Sequence, residues 1–70
     1  MMLYKIKGKR VEYGIKQKDF AKQLGITTQY LNHIEKGVAS PSLILAKKIA
    51  DSLNSNIYDL FFYDEHLEVR

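Results

Sequence analysis

Glycine punctuates this chain. Gly14, Gly25 and Gly37 stand eleven or twelve residues apart, and the single proline, Pro41, follows the last of them. Glycine is favoured just past the end of a helix, where the backbone turns left-handed. Proline is favoured at a helix start. The segments between these marks carry apolar residues at three- and four-residue spacing, the period of a half-buried helix. The pattern limits the body of the chain to short helices joined by tight turns.

Five helices are expected. Helix one covers Ile6 to Tyr13, with Ile6, Arg10 and Tyr13 on one face. Gly8 lies inside it, at a cost of about 1 kcal/mol relative to alanine, so a start after Gly8 is the alternative. Helix two covers Gln17 to Leu24 and buries Phe20, Ala21 and Leu24. Helix three covers Thr28 to Lys36, with Thr27 as its cap. Helix four begins at Pro41 and Ser42 and runs to Leu53, with Leu43, Ala46, Ile49, Ala50 and Leu53 as its apolar stripe. Helix five covers Ile57 to Phe61, with Leu60 and Phe61 turned inward.

Seventy residues make one domain, here residues 1–70, and a chain of that size buries only a modest core. Cysteine is absent, so neither a disulfide nor a thiolate metal site can staple it. The first ten residues lack the apolar stretch of a secretory signal. The longest aliphatic run, Leu43 to Ala46, is far short of a membrane span. A cytoplasmic protein of bacterial, phage or mobile-element origin is the expectation. The net charge of +3 conceals an asymmetry: residues 1–50 carry ten Lys or Arg against three acids, residues 51–70 one Arg against five acids. A basic body with an acidic tail fits a polyanion bound on one side, or simply a solvated surface.

Helix three is where the sequence speaks of function. On a wheel of about 100° per residue, Thr28, Asn32, Lys36, Gln29 and His33 fall on one arc, and Tyr30, Leu31 and Ile34 on the opposite one. Amide side chains both donate and accept hydrogen bonds, histidine can do either, and a threonine methyl can meet a thymine methyl. Such neutral groups read base edges, whereas fixed charges mostly hold phosphates. Thr28, Gln29, Asn32 and His33 are therefore the candidate base contacts. A solvated polar face is the plainer reading of the same arc. The spacing around it favours the first: Ala21 permits a close helix crossing, Gly25 supplies the turn, and Leu31 and Ile34 lock the second helix onto the first. Together these make a helix-turn-helix over residues 17–36, whose second helix enters the major groove.

The run from Tyr13 to Phe61 resembles the phage Cro and repressor proteins, the XRE family of helix-turn-helix proteins. It does so through Gln17, Ala21, Leu24-Gly25, Leu31, Ile34-Glu35, Gly37, Pro41-Ser42-Leu43, Ala50, Leu53 and Leu60-Phe61. The resemblance implies an all-α, five-helix, lambda-repressor-like domain that binds double-stranded DNA. It implies a homodimer, usually a repressor, on a palindromic operator. By position it places Thr28, Gln29, Asn32 and His33 at bases, Gln17 at a phosphate, and Arg10 against Glu35 as a structural ion pair. Lys16 departs from the pattern, standing where a Ser, Thr or Asn cap is common; a lysine at a helix start is electrostatically unfavourable unless it meets a phosphate. Lys9, Lys16 and Lys36 complete the expected grip on the backbone. A protein-interaction module on the same fold, an antitoxin or an adaptor, is the alternative.

The tail supplies candidates for dimerisation in Phe61, Phe62, Tyr63, Leu67 and Val69. Residues 66–70 alternate polar and apolar, as a half-buried strand would, and Met2 to Ile6 are the one segment able to pair with them in a small two-stranded sheet. A frayed acidic tail is the other reading. Nothing points to an enzyme, a metal, a cofactor or a small-molecule ligand. His33 and His66 belong to no His-Glu-x-x-His pattern, there is no glycine-rich phosphate loop, and the serines lack an arranged base.

Overall fold

The computed structural model describes residues 5–61. They form five helices: α1 (Ile6–Glu12), α2 (Gln17–Leu24), α3 (Thr28–Glu35), α4 (Leu43–Ser52) and α5 (Ile57–Phe61). The described residues contain no strand. Phe62 to Arg70 and Met1 to Tyr4, where the small sheet and most of the dimerisation tail were expected, lie outside the described residues. Ile6, offered as the last residue of one strand, is instead the first residue of α1 and fully buried.

Four of the helices end by one device. After α2, the Ile26 N–H donates to the Ala21 carbonyl at 3.0 Å while Gly25 sits at φ 77°. The same reach-back bond joins Ile15 to Arg10 after α1 and Val38 to His33 after α3. After α4 it joins Ser55 to Ala50, and there the left-handed position belongs to Asn54, at φ 52°. Asparagine is among the few residues with a side chain that tolerate this region. The bond satisfies carbonyls that the helix end would otherwise leave open.

The starts of α3, α4 and α5 are set by side-chain caps. Thr27 Oγ1 accepts from the Tyr30 N–H at 3.0 Å, and Ser42 Oγ from the Leu45 N–H at 3.2 Å. Asn56 and Asp59 cap α5 reciprocally: Asn56 Oδ1 accepts from the Asp59 N–H, and Asn56 Nδ2 donates to Asp59 Oδ2. With Ser42 as cap, α4 begins at Leu43, two residues after Pro41, where the sequence suggests a start.

The core gathers Ile6, Phe20, Ala21, Leu24, Leu31, Ile34, Ala46, Ile49, Ala50, Leu53, Leu60 and Phe61. The helix α2 packs on α3 and α4, and α4 on α5. The Lys5 N–H donates to the Leu60 carbonyl at 3.0 Å, tying the entry of α1 to α5. Gly8 lies inside α1, as the Ile6 start requires, and the alternative start after it is excluded, because burial of Ile6 outweighs the local preference. Two expectations are corrected. Tyr13 falls past the end of α1 and is exposed. Leu43 is 74% exposed; as the first residue of α4 it overhangs the core, and Leu45 packs there in its place.

Candidate nucleic-acid interface

The two arcs of α3 separate as the wheel requires. Leu31 and Ile34 are fully buried, and Tyr30 packs at the edge of the core. Thr28 and Gln29 are exposed, and Asn32 and His33 half-buried. No side chain of the described residues covers Thr28 or Gln29. The turn before α3 is rigid for local reasons: Gly25 closes α2, Thr27 opens α3, and Ile26 between them packs against the core. The polar arc is therefore held at a fixed angle to α2, with its first residues the more exposed.

Beneath that arc runs a chain of polar contacts spanning three helices. Arg10 Nε donates to Glu35 Oε2 at 2.7 Å and Arg10 Nη2 to Glu35 Oε1 at 3.2 Å, a two-point clasp. The Arg10 side chain is 8% exposed and that of Glu35 is 1% exposed. The remaining nitrogen, Arg10 Nη1, donates to the Ile15 carbonyl at 2.8 Å and fixes the α1–α2 connection. Gln17 Nε2 donates to Glu35 Oε1 at 3.1 Å and to Asn32 Oδ1 at 3.3 Å. Charge and hydrogen bonding are thus matched, and no buried side-chain N or O of the described residues lacks a partner. That matching is what makes a buried ion pair tolerable, since neither charge is left to low-dielectric surroundings alone.

The residues expected to hold phosphates are not equivalent. Lys16 is the N-cap of α2 and makes no side-chain capping bond, which leaves the first N–H groups of that helix open beside a cation. Lys36 closes α3 and is exposed. Lys9 lies 3.8 Å from Glu12 and lines a groove with Asp51 and Asp59. Those carboxylates compete with a phosphate for the Lys9 ammonium. Both amide N–H groups of Gln17 are spent inside the protein, so its side chain is a brace. Its main-chain N–H, at the start of α2, is what remains for an anion. The sequence pairs Arg10 with Glu35 only through a family resemblance, and it contains no signal for Gln17 joining them.

Among the proposed dimer residues, Phe61 is corrected. It is 3% exposed and belongs to the core of its own chain, so it has no surface to offer a second copy. Phe62, Tyr63, Leu67 and Val69 lie outside the described residues. No group of three or more His, Asp or Glu side chains converges among the described residues, and no helix there is long and apolar enough to cross a membrane.

Two helices joined by a glycine turn, the second anchored by its apolar side and baring a polar one, define a helix-turn-helix protein. Comparison with known sequences agrees: the helix-turn-helix family model matches residues 6–60. A protein of Archaeoglobus fulgidus named as an HTH-type transcriptional regulator is 41% identical over 64 residues, covering 91% of either chain. One of Methanothermobacter thermautotrophicus with the same name is 44% identical over 61 residues, covering 86% of this chain and 88% of its own. One of Methanocaldococcus jannaschii is 42% identical over 64 residues, covering 91% and 97%. The chain belongs to the XRE-type helix-turn-helix family.

Proposed function

We propose that this protein is a transcriptional regulator that binds double-stranded DNA as a homodimer, with α3 in the major groove, and acts as a repressor on a two-fold symmetric operator. One observation carries the reading. The exposed arc of α3 bears Thr28 and Gln29, flanked by Asn32 and His33, while Leu31 and Ile34 anchor the opposite side. This is a helix of the right width for the groove, bearing side chains able to bond base edges. Phosphate contacts come from Lys16 and Lys36 and from the open N–H groups at the start of α2, whose partial positive charge favours an anion. The relatives' shared name, transcriptional regulator, supports the same class of function. For the second copy, Leu43 and Ile44 at the start of α4 offer apolar surface, being 74% and 77% exposed.

Selection from a random duplex pool, followed by native mass measurement of the complex, tests all parts together. The expected result is an enriched motif of two inverted half-sites about one helical turn apart, holding two protein copies. A pool that enriches no motif refutes the reading. A motif without symmetry, bound by a single copy, refutes the dimer.

A further inference from the structure

The polar chain under α3 does more than brace three helices: it dictates which way round one amide sits. Glu35 is held by Arg10, and its carboxylate oxygens only accept hydrogen bonds. The Gln17 atom 3.1 Å from Glu35 Oε1 must therefore be the amide nitrogen. The second hydrogen of that nitrogen points at the side chain of Asn32, 3.3 Å away, so the Asn32 atom facing it must be the carbonyl oxygen. The Asn32 NH2 group then lies on the other side. It has no partner among the described residues, and since no buried side-chain nitrogen there is unsatisfied, it is open to solvent. An isolated asparagine on a helix surface has two amide orientations of nearly equal energy. Here one is excluded from twenty-two residues away, through Arg10.

We propose that Gln17 is a positioning residue that fixes the polarity of Asn32, so that Asn32 meets the major groove with its NH2 group and selects a base presenting an acceptor, guanine foremost. The inference rests on the reading of α3 as the base-facing helix. Guanine offers two adjacent acceptors, N7 and O6. Thymine offers O4. Adenine sets a donor beside its N7, and cytosine presents only a donor, which an NH2 group cannot meet.

The test uses the full chain and its selected operator. Asn32→Ala identifies the base pair concerned, as the position whose preference it flattens. At that pair the wild-type protein favours guanine over cytosine by roughly 5- to 150-fold, the span of one good base contact. Gln17→Leu removes the donor and frees the amide to turn, bringing the ratio to within about threefold. Gln17→Lys, which supplies donors to both oxygens, restores it. The readout is the ratio between bases at one position. A merely structural role for Gln17 lowers affinity at every position together and leaves that ratio alone. Should Gln17→Leu fail to fold, Asn32→Asp keeps an oxygen toward Gln17 and replaces the NH2 group by an acceptor, so cytosine becomes the preferred base. An unchanged ratio in Gln17→Leu, no recovery in Gln17→Lys, a retained guanine preference in Asn32→Asp, or cytosine at the wild-type position overturns the proposal. If those results come with an enriched motif, the DNA-reading helix stands and only the polarity argument falls. If the wild type enriches no motif, both fall.

Discussion

Replacing Glu35 by alanine should remove a large share of the protein's stability. The substitution leaves Arg10 Nε and Nη2 without acceptors and takes one of the two partners of Gln17 Nε2, all in surroundings where Glu35 is 1% and Arg10 8% exposed. Removing one member of a buried pair strands the other charge and costs about 3–5 kcal/mol. A domain of this length has a total stability of about 4–10 kcal/mol. The variant should therefore keep about 70% of its stability at best and none at worst. Two exposed pairs serve as controls: Lys9–Glu12 at 3.8 Å and Lys47–Asp51 at 3.6 Å. Glu12→Ala and Asp51→Ala should each cost about 0–1 kcal/mol. The double variant Arg10→Met/Glu35→Leu removes both charges and should return to within about 2 kcal/mol of wild type, because an apolar pair of similar volume needs no compensation. Urea unfolding followed by circular dichroism at 222 nm measures all four variants, with a constant slope confirming that the unfolded states are comparable. A loss in Glu35→Ala no larger than in the exposed controls would refute the claim that this pair is the polar keystone of the fold. So would a double variant less stable than Glu35→Ala.

Further predictions concern the backbone and the caps. Gly8→Ala should raise stability by about 0.5–1 kcal/mol, since the residue is helical and exposed and a Cβ there meets nothing within 4 Å. Gly25→Ala, equally free of contacts, should cost about 1–2 kcal/mol, because φ 77° alone opposes it. Equal effects at the two sites in urea titrations would contradict the account of the turn. Thr27→Ala should cost about 1 kcal/mol through loss of the bond to the Tyr30 N–H; hydrogen exchange at that amide should rise with it. Lys16→Ser should move two quantities in opposite directions: thermal stability up, as a capping oxygen replaces a cation, and the salt slope of DNA binding down by about one unit. A salt slope unchanged from wild type would remove Lys16 from the phosphate contacts.

What could be read from the residues alone was local. The bounds of α2 and α5 follow from glycines and apolar spacing, those of α1 and α3 to within a residue at each end, and those of α4 to within two. The polar and apolar arcs of α3 follow in the same way, because the side chains of one helix are ordered by its own period. Tyr13 and Leu43 show where such reasoning stops. Whether a helix accepts a glycine, or a stripe residue reaches the core, depends on what the neighbouring helices bury. Phe61 shows it again, being apolar by sequence but assigned to its own core by packing. The partners of Gln17 are the clearest case. Asn32 and Glu35 lie fifteen and eighteen residues away, and no periodicity connects them. A hydrogen bond needs two particular atoms within about 3 Å. Local sequence fixes the conformation of each helix, but the crossing of α1, α2 and α3 alone brings those atoms together.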